Sequence, residues 1–559
     1  MNKNIYIGVA WPYVNGDLHI GHLAGYLLPA DICARFNRLL GNKVLMISGS
    51  DCFGTPITLE ADKKKISPTE IVDIYHAKDV DLFLNVLNLS YSLYTKTDHP
   101  NHKQVVQDVF ISLLDKGYIF IDSTHQYYSP TQERFLPDRY VIGICPFCNT
   151  PETRSDQCDN CGKLIATGEL KEAISTIERA PVIVKETEHY FLDWPKLEAF
   201  LASYVAKTGG NWKEWVLQGT QAWLTEGLKP RAITRDIDWG VEIPNERIPK
   251  DMQLEHANDK RFYVWFDAVI GYLSGSILWA KGSGDLDAWK EFWYGDNTYH
   301  YYFMGKDNLI FHTLFWPGQL YGYDEELHLP DLPSINMFLN LSGKKFSKSR
   351  NVMINSRDIV EKYGNDAVRF YLTLIMPEVR DASFVWQDFE EKNNGILVAN
   401  IGNFMHRILS IAYKEDLAFL KSIKVDVDVL AKVEQTFNKC CTYLEKCEFK
   451  HYLDEVILLS STGNKLVDSV EIWKLKEKDI ESYHQNLGNI LYLIIALGYL
   501  LEPVVPHGIA KFKDLINGSE VVWNQSFASE IERILIDLQF ASKPTPLFTK
   551  IDVTSELES

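Results

Sequence analysis

The first fifty residues constrain the fold of this chain more than any other stretch. An apolar run at 5–10 predicts a buried strand, and a tight segment containing Pro12 and Gly16 follows it. A helical pattern then runs to Gly41, and a second apolar run lies at 44–47. This order of strand, loop, helix and strand is half of a nucleotide-binding α/β unit, which binds its ligand at the carboxyl ends of the strands.

Two histidines stand where the predicted loop meets the predicted helix. His19 and His22 are three residues apart, so they share one face of a helical turn, and Gly21 between them carries no side chain. Two imidazole donors at a helix N-terminus suit a closely packed purine with a phosphate beside it. On the four letters H-I-G-H alone, capping or packing roles are equally open.

Length and charge limit the class of protein. A chain of 559 residues is too long for one core and predicts several domains. Its 57 basic and 75 acidic side chains give a net charge of −18, so it is not an obvious nucleic-acid binder, although a local basic face can coexist with an acidic total. We expect a cytoplasmic protein, because no targeting segment is visible, and no membrane association, because the most apolar stretch, 490–501, predicts a buried helix.

Four of the nine cysteines have metal-ligand spacing. Two C-x-x-C pairs stand nine residues apart, formed by Cys145, Cys148, Cys158 and Cys161. Two such turns present four thiolates, which complete a tetrahedral shell with no open position. The pattern predicts one structural Zn²⁺ and a reducing compartment.

Two further segments have both a structural and a functional interpretation. Asp51 follows the second predicted strand, either as a turn residue that bonds its own backbone or as a carboxylate that receives a substrate ammonium. The stretch 341–350 is Gly/Ser-rich and carries three lysines and an arginine. It is either a solvated loop or a clamp for phosphate.

Both histidines and the basic loop lie in segments that resemble a known family. The run AWPYVNGDLHIGH at 10–22 resembles the first signature of class I aminoacyl-tRNA synthetases, and specifically that of the methionyl members. KKFSKS at 344–349 resembles the second signature, with Phe346 in the place of a methionine. The resemblance extends from residue 6 to about residue 506. It implies ATP-dependent ligation of L-methionine to tRNA(Met) through a methionyl-adenylate, with ATP as a substrate and Mg²⁺ on its phosphates.

The resemblance also implies the domain organisation. We expect an α/β fold in which a Rossmann-type parallel-sheet catalytic domain carries a zinc-bearing insertion and is followed by an all-α helical bundle. The predicted divisions are 1–117 and 251–325 for the halves of the catalytic domain, 118–250 for the insertion, 326–387 for the region of the second signature, and 388–559 for the anticodon-binding bundle. Within them, 57–117 is predicted as helical and the aromatic run 261–270 as a strand that reaches Gly271.

Site residues are carried over position by position. The catalytic groups are His19, His22, Lys345 and Lys348, and the ATP-binding residues are His19, His22, Gly305, Asp307, Lys348 and Arg235. Arg235 is equally compatible with a salt bridge to Asp236 or Asp238. A methionine side chain is apolar and polarizable, so its pocket is expected to be aromatic. The substrate-binding residues are Trp11, Tyr13, Asp51, Trp265, Val269, Tyr272, His312 and Trp316, with Trp11 and Val269 where relatives often have leucine and proline.

The C-terminal region combines an apolar and a polar helical stripe. Leu397, Ile401, Phe404 and Ile408 form the apolar face, and Asn400, Asn403 and Arg407 form the polar one. A polar stripe is usually hydrated, but Asn and Arg also read unstacked bases, on which a tryptophan can stack. The resemblance places anticodon reading at Asn400 and Trp473. Arg407 is added to them because it shares the polar stripe with Asn400.

Other functions remain open from the sequence. A synthetase for leucine, isoleucine, valine or cysteine would share both signatures. Against the first three, the insertion of roughly 130 residues is too small to add an editing domain. Against cysteine, a closed four-cysteine site leaves no zinc position for the substrate thiol. A non-catalytic tRNA-binding protein is the alternative outside enzymes, and the intact His19, His22, Lys345 and Lys348 argue against it. We expect a monomer.

Overall fold

A computed structural model describes residues 2–137, 140–155, 158, 160–161, 165, 167–341, 344–345 and 353–557; at 344, 345 and 557 only the backbone is described. The lysine Lys348 of the second signature therefore lies outside the described residues.

A five-stranded parallel sheet forms the centre of the catalytic region. Its strands are β1 (Asn4–Val9), β2 (Lys43–Ser50), β3 (Leu93–Lys96), β4 (Thr298–Gly305) and β5 (Leu332–Asn336). They lie in the order β5-β4-β1-β2-β3, so the strand order reverses between β1 and β4. In open α/β sheets ligands bind at the carboxyl ends of the strands next to such a reversal. The predicted α/β fold class is confirmed.

Helices cover both faces of this sheet, as parallel strands require. They are Leu28–Leu39, Thr55–Lys64, Pro68–Asp81, Pro100–Asp115, Gly271–Ser283 and Trp316–Tyr323. Strand β3 lies inside 57–117, which we predicted as helical throughout. It is a short edge strand with three of its four residues only partly buried, so its sequence lacks the apolar run that marks β1 and β2.

The aromatic run predicted as a strand is mostly helical, and that prediction was wrong. Only Arg261–Phe262 is a strand, paired with Thr234–Arg235, and the chain turns into the helix Val264–Asp267 directly afterwards. Aromatic and β-branched residues fit a half-buried pleated surface, but here the sheet offers a partner for two residues only. Packing against the main sheet decides the rest.

The inserted region has its own antiparallel sheets and a small core. One sheet contains Ile119–Ser129, Arg134–Phe135, Ile183–Leu192 and Arg231–Ala232, and a second contains Val141–Ile144, Thr153–Arg154 and Lys171–Ser175. Two helices, Glu198–Thr208 and Glu214–Glu226, lie in sequence between Ile183–Leu192 and Arg231–Ala232. The second sheet packs in a core of its own, which includes Cys145 and Cys158. So small a core needs an additional cross-link to be stable.

A helical region forms the C-terminal part. The strands Leu339–Leu341, Lys344–Lys345 and Ala382–Phe384 and the helices Ser356–Tyr363 and Asn365–Leu374 precede it. Its helices are Trp386–Lys392, Asn393–Gly402 in π form, Asn403–Ala412, Val427–Glu445, Phe449–Val470, Ile472–Lys478, Ile480–Leu501, Pro506–Leu515, Phe527–Ile536 and Thr554–Leu557. The predicted apolar face at Leu397, Ile401, Phe404 and Ile408 is buried, as is the apolar stretch 490–501.

One helical run in the described residues, Trp386–Ala412, is long and apolar enough to cross a membrane by length and composition alone. Half of its most apolar window is buried inside the protein. A core helix of a large domain passes the same test.

A buried ionic network joins the catalytic and C-terminal regions. The Asp31 carboxylate accepts hydrogen bonds from Arg35 Nε at 2.8 Å and from Ser90 N and Oγ at 2.7 Å each, and it pairs with Arg369 Nη2 at 2.7 Å. Arg369 also donates to the carbonyl oxygens of Val504 and Pro503. Burial alone would raise the pKa of Asp31, but the Arg35 and Arg369 guanidiniums hold it well below its ordinary value.

Candidate active site

His19 and His22 stand at the start of the helix that follows β1. The His19 ring accepts from Gly21 N at 3.1 Å through Nδ1, and the His22 ring accepts from His19 N at 3.2 Å through Nδ1. An Nδ1 that accepts an amide proton carries none itself, so neutral His19 has its proton on Nε2. His22 Nδ1 also lies 3.2 Å from His19 O, so in the other tautomer it donates to that oxygen. The ring centroids lie 4.0 Å apart. The two rings therefore lie side by side at the start of the helix, each held to the backbone through its Nδ1.

The segment after the second signature is hydrogen-bonded to the first. Ile20 N donates to Ile354 O at 3.1 Å, and Ser356 N donates to Leu18 O at 3.0 Å. These two bonds hold the segment 354–356, which follows the basic loop in sequence, on either side of His19. The structure therefore brings the described flanks of both signatures together, although more than 300 residues separate them.

Asp51 lies at the carboxyl end of β2, next to the residues that follow β1. Its backbone N donates to Pro12 O at 2.8 Å, and its carboxylate accepts from Phe53 N at 3.3 Å. The residue is only 3% exposed. Burial, and after it the charge of Asp267, raises the pKa of Asp51 well above its ordinary value. A carboxylate in this setting gains from a cation that arrives with a substrate.

The predicted methionine residues include two pairs of aromatic rings, of which the first is partly buried and the second is buried. Trp265 lies edge-on to Tyr13 with a 6.4 Å centroid distance, and Tyr272 lies 6.0 Å from Trp316. Both Val269 and Trp316 are buried. Such a cluster offers a soft, apolar surface that suits a thioether.

One hydrogen-bonded pair supplies the polarity of this cluster. His312 Nδ1 lies 3.0 Å from Asn308 O, which can only accept, so Nδ1 carries the proton and Nε2 accepts from the Tyr272 hydroxyl at 2.7 Å. Burial lowers the pKa of His312 to about 4. The pair is therefore neutral at physiological pH.

Trp11 occupies a slot that glycines leave open. A methyl group in place of a hydrogen on Gly49 or Gly271 would lie 2.2 or 2.7 Å from carbons of the indole, closer than atoms can pack. The large side chain of Trp11, which departs from the family pattern, is thus accommodated by two glycines that lie far apart in the sequence.

Two of the predicted ATP-binding residues, Gly305 and Asp307, lie at the end of the neighbouring strand β4, and Arg235 lies on a separate two-residue strand. Gly305 ends β4, directly beside β1, and a side chain at this position would meet open space. Asp307 is exposed in the turn that follows. Arg235 donates to Ala232 O and Thr234 O and its guanidinium lies 4.1 Å from the Tyr263 ring centroid. Its position is therefore set by backbone carbonyls and an aromatic ring.

The predicted anticodon residues differ in how they are held. Asn400 donates to Ser461 Oγ at 3.0 Å and accepts from Asn464 Nδ2 at 3.0 Å, so its amide is tied to the neighbouring helix. Arg407 is exposed and lies 4.0 Å from Asp468. Trp473 is 52% exposed. An indole so open to solvent is available for stacking.

The four predicted cysteines meet in the inserted region. The Sγ atoms of Cys145, Cys148, Cys158 and Cys161 all lie within 4.8 Å of one another, with pair distances of 3.9 and 3.6 Å. Zn–S bonds of about 2.3 Å in a tetrahedron place the sulfurs about 3.8 Å apart, so the cluster fits Zn²⁺. The hydrogen bond with Thr150 lowers the pKa of Cys148 to about 5, which favours the thiolate that a metal needs.

Removing one of the four zinc ligands should unfold the small core of the insertion and leave the other regions of the protein folded. We expect Cys148→Ser to lose bound zinc and to expose the amides of 141–175 to hydrogen exchange, because the second sheet has only a small core of its own. Zinc content by mass spectrometry and exchange by peptide mapping measure both effects. Cys441→Ser, outside the cluster, is the matched control and should keep both. If a variant without bound zinc kept full protection of these amides, the metal would not stabilise the insertion.

Two residues at the site escaped the sequence analysis. Asp267 is fully buried between the predicted pocket residues Trp265 and Val269, and its Oδ2 lies 3.8 Å from Nε2 of the buried His102. No spacing links the two, because 165 positions separate them. The position of Asp267 within the predicted pocket segment was the one signal available.

Comparison with known proteins decides the family. The family model described as tRNA synthetases class I (M) matches residues 5–409, and the anticodon binding domain of methionyl tRNA ligase matches residues 422–558. The chain belongs to the methionyl class I tRNA synthetases. Two similar relatives, each named methionine–tRNA ligase, come from Roseiflexus sp. (strain RS-1) and Chloroflexus aggregans. The first is 40% identical over 99% of this chain and 97% of the relative, and the second is 42% identical over 90% and 86%.

A solved structure shows the same fold in this family. Methionyl-tRNA synthetase from Mycobacterium tuberculosis, in complex with methionyl-adenylate, has a TM-score of 0.76 and 21% sequence identity, over 98% of this chain and 99% of that one. The predicted succession of parallel-sheet domain, insertion and helical region is thus that of a methionyl synthetase.

Proposed function

We propose that the protein ligates L-methionine to tRNA(Met) at the expense of ATP, and that the site residues described above carry the reaction. The observation that supports this best is that segments after neighbouring parallel strands carry the His19–His22 pair after β1, the buried Asp51 after β2 and His312 of the neutral Tyr272–His312 pair after β4. An apolar thioether, an ammonium and a nucleotide each have a matching surface there.

In the first step the methionine carboxylate attacks the α-phosphorus of ATP and diphosphate leaves. The enzyme needs no side-chain nucleophile, because the substrate supplies it; positioning and charge stabilisation remain. The Nε2–H groups of His19 and His22 donate to the phosphate oxygens as charge builds on them. Lys345 and Lys348 add positive charge from the basic loop, and Arg235 faces the same phosphates. Gly305 and Asp307 receive the adenosine.

In the second step the terminal ribose hydroxyl of the tRNA attacks the adenylate carbonyl, giving methionyl-tRNA and AMP. The methionine is held during both steps by Trp11, Tyr13, Asp51, Trp265, Val269, Tyr272, His312 and Trp316. Asn400, Arg407 and Trp473 read the anticodon. Selection of the amino acid and of the tRNA thus occurs in different domains.

The remaining features follow from this assignment. Zn²⁺ held by Cys145, Cys148, Cys158 and Cys161 has a closed shell and stabilises the insertion without taking part in the reaction. Mg²⁺ arrives with the ATP phosphates. The domain divisions at 117, 250, 325 and 387, the monomeric state and the cytoplasmic location are parts of the same proposal.

Amino-acid-dependent exchange of ATP and diphosphate, without tRNA, tests the reaction and the substrate together. We expect exchange with methionine and none with leucine, isoleucine, valine or cysteine. Exchange with another amino acid would support the same class of reaction but contradict the assignment of the pocket to methionine. Absence of exchange from folded, zinc-containing protein would favour a tRNA-binding protein without catalytic activity.

Truncating the exposed tryptophan should separate the two steps. We expect Trp473→Ala to lower kcat/KM for charging of tRNA(Met) about 10- to 100-fold, because stacking on a base contributes about 1–3 kcal/mol, and to leave exchange intact. Leu458→Ala removes another exposed apolar side chain of the same region and should affect neither step. Equal losses in charging and exchange would contradict anticodon reading by Trp473.

A further inference from the structure

A group of buried polar atoms without side-chain hydrogen-bond partners lies beside the methionine pocket. Within the described part of the chain it consists of Trp11 Nε1, His102 Nε2 and both carboxylate oxygens of Asp267, which face only the backbone N–H groups of Asp267 and Ala268. Buried polar groups in folded proteins are nearly always paired. Four such atoms in one place indicate that something else binds there.

Contacts connect this group to Asp51. The Trp11 indole packs on Gly49, two residues before Asp51, and on Gly271, four residues after Asp267. Its ring centroid lies 6.2 Å from that of His102, and His102 Nε2 lies 3.8 Å from Asp267 Oδ2. The charge of Asp267 is also felt at Asp51, whose pKa it raises after burial does. The two carboxyl groups therefore border the same buried space.

No resident cation serves these carboxyl groups. Among the residues that the structure describes, no lysine or arginine forms an ion pair with Asp51 or Asp267. His102 Nε2 lies 3.8 Å from Asp267 Oδ2, but burial lowers the pKa of His102 to about 3, so it is neutral. Two buried carboxyl groups without a cation are costly to ionise, and an entering cation removes that cost.

We propose that Asp267 is a second carboxylate of the ammonium subsite and shares the α-ammonium of methionine with Asp51. The inference rests on the proposed function, which supplies the cation. The three N–H donors of an ammonium point in different directions and Asp51 Oδ1 also accepts from Phe53 N, so a second carboxylate can pair a donor that Asp51 does not reach. Asp267 thereby makes the site select for an amine as well as for a thioether.

The test compares two ligands that differ in the amino group alone. Methionine and 4-(methylsulfanyl)butanoate share the side chain and the carboxylate. In Asp267→Asn, which keeps the shape and removes the charge, we expect the Kd of methionine to rise on the order of 30-fold and that of the des-amino acid to stay unchanged. Titration calorimetry measures both. Glu378→Gln exchanges another buried acid, whose carboxylate accepts from Lys450 N, for its amide; it is the control and should change neither Kd.

Asp51→Asn provides a second measurement that leaves Asp267 intact. If Asp267 holds the ammonium too, this variant still prefers methionine over the des-amino acid; complete loss of the preference would overturn the proposal. Equal weakening of both ligands in Asp267→Asn would indicate a structural role, such as a bridging water, and would also overturn it. Wild-type protein without methionine-dependent exchange would instead refute the proposed function itself.

Discussion

His22→Asn should lower the rate of methionine-dependent exchange about 10²- to 10³-fold, because it removes a donor aimed at developing negative charge. Asparagine reaches only as far as the imidazole Nδ1, so its oxygen can still accept from His19 N and preserve the start of the helix. The loss should therefore appear in kcat, with the Kd of methionine unchanged. Steady-state exchange and calorimetry separate the two.

The complementary variant is His22→Gln. Its amide nitrogen reaches the position of Nε2, so it should recover part of the rate that asparagine loses. Thermal unfolding should be the same for both variants. Full activity of His22→Asn would show that the histidine pair caps the helix and does not stabilise the transition state.

Arg369→Met should destabilise the protein by about 3–5 kcal/mol, because it leaves the Asp31 carboxylate short of one buried positive charge. The same change leaves the carbonyl oxygens of Val504 and Pro503 without their donor. Urea unfolding at pH 7 measures the loss. Arg533→Met removes an exposed guanidinium paired with Glu530 and should stay within about 0.5 kcal/mol of the wild type.

The sign of the pH dependence follows from the lowered pKa of Asp31. A carboxylate with a depressed folded-state pKa stabilises the fold fully above its unfolded value of about 3.9, and that contribution is lost as the pH falls toward the folded value. The stability difference between wild type and Asp31→Asn should therefore be constant near neutrality and shrink in acid. A stability difference that grows in acid would contradict the stabilisation of ionised Asp31 by Arg35 and Arg369.

The sequence predicts elements well where burial and pattern agree. Strands β1 and β2 are buried on both faces and stand out as apolar runs, and the four cysteines have a spacing that few structures other than a metal site require. Strand β3 was missed because a short edge strand has no such run. The segment 261–270 was assigned to a strand from residue type, although its conformation depends on what it packs against.

The site shows the same division between local and distant information. His19 and His22 could be found because three residues separate them. The meeting of His102 with Asp267 could not, because it depends on how the whole sheet assembles. Likewise, the glycines that accommodate Trp11 lie on distant segments, so a single sequence does not reveal that they belong together.

The position of β4 has a consequence for synthesis on the ribosome. Its first residue, Thr298, pairs with Asn4 of β1, so nearly three hundred residues must be translated before the middle of the sheet can close. At common elongation rates this takes roughly 15–60 s. During that time β1 has one unpaired edge at the centre of the future sheet, an open template for pairing with other chains. Until β4 emerges, a nascent chain with this strand order depends on chaperones or on early folding of the insertion to avoid such pairing.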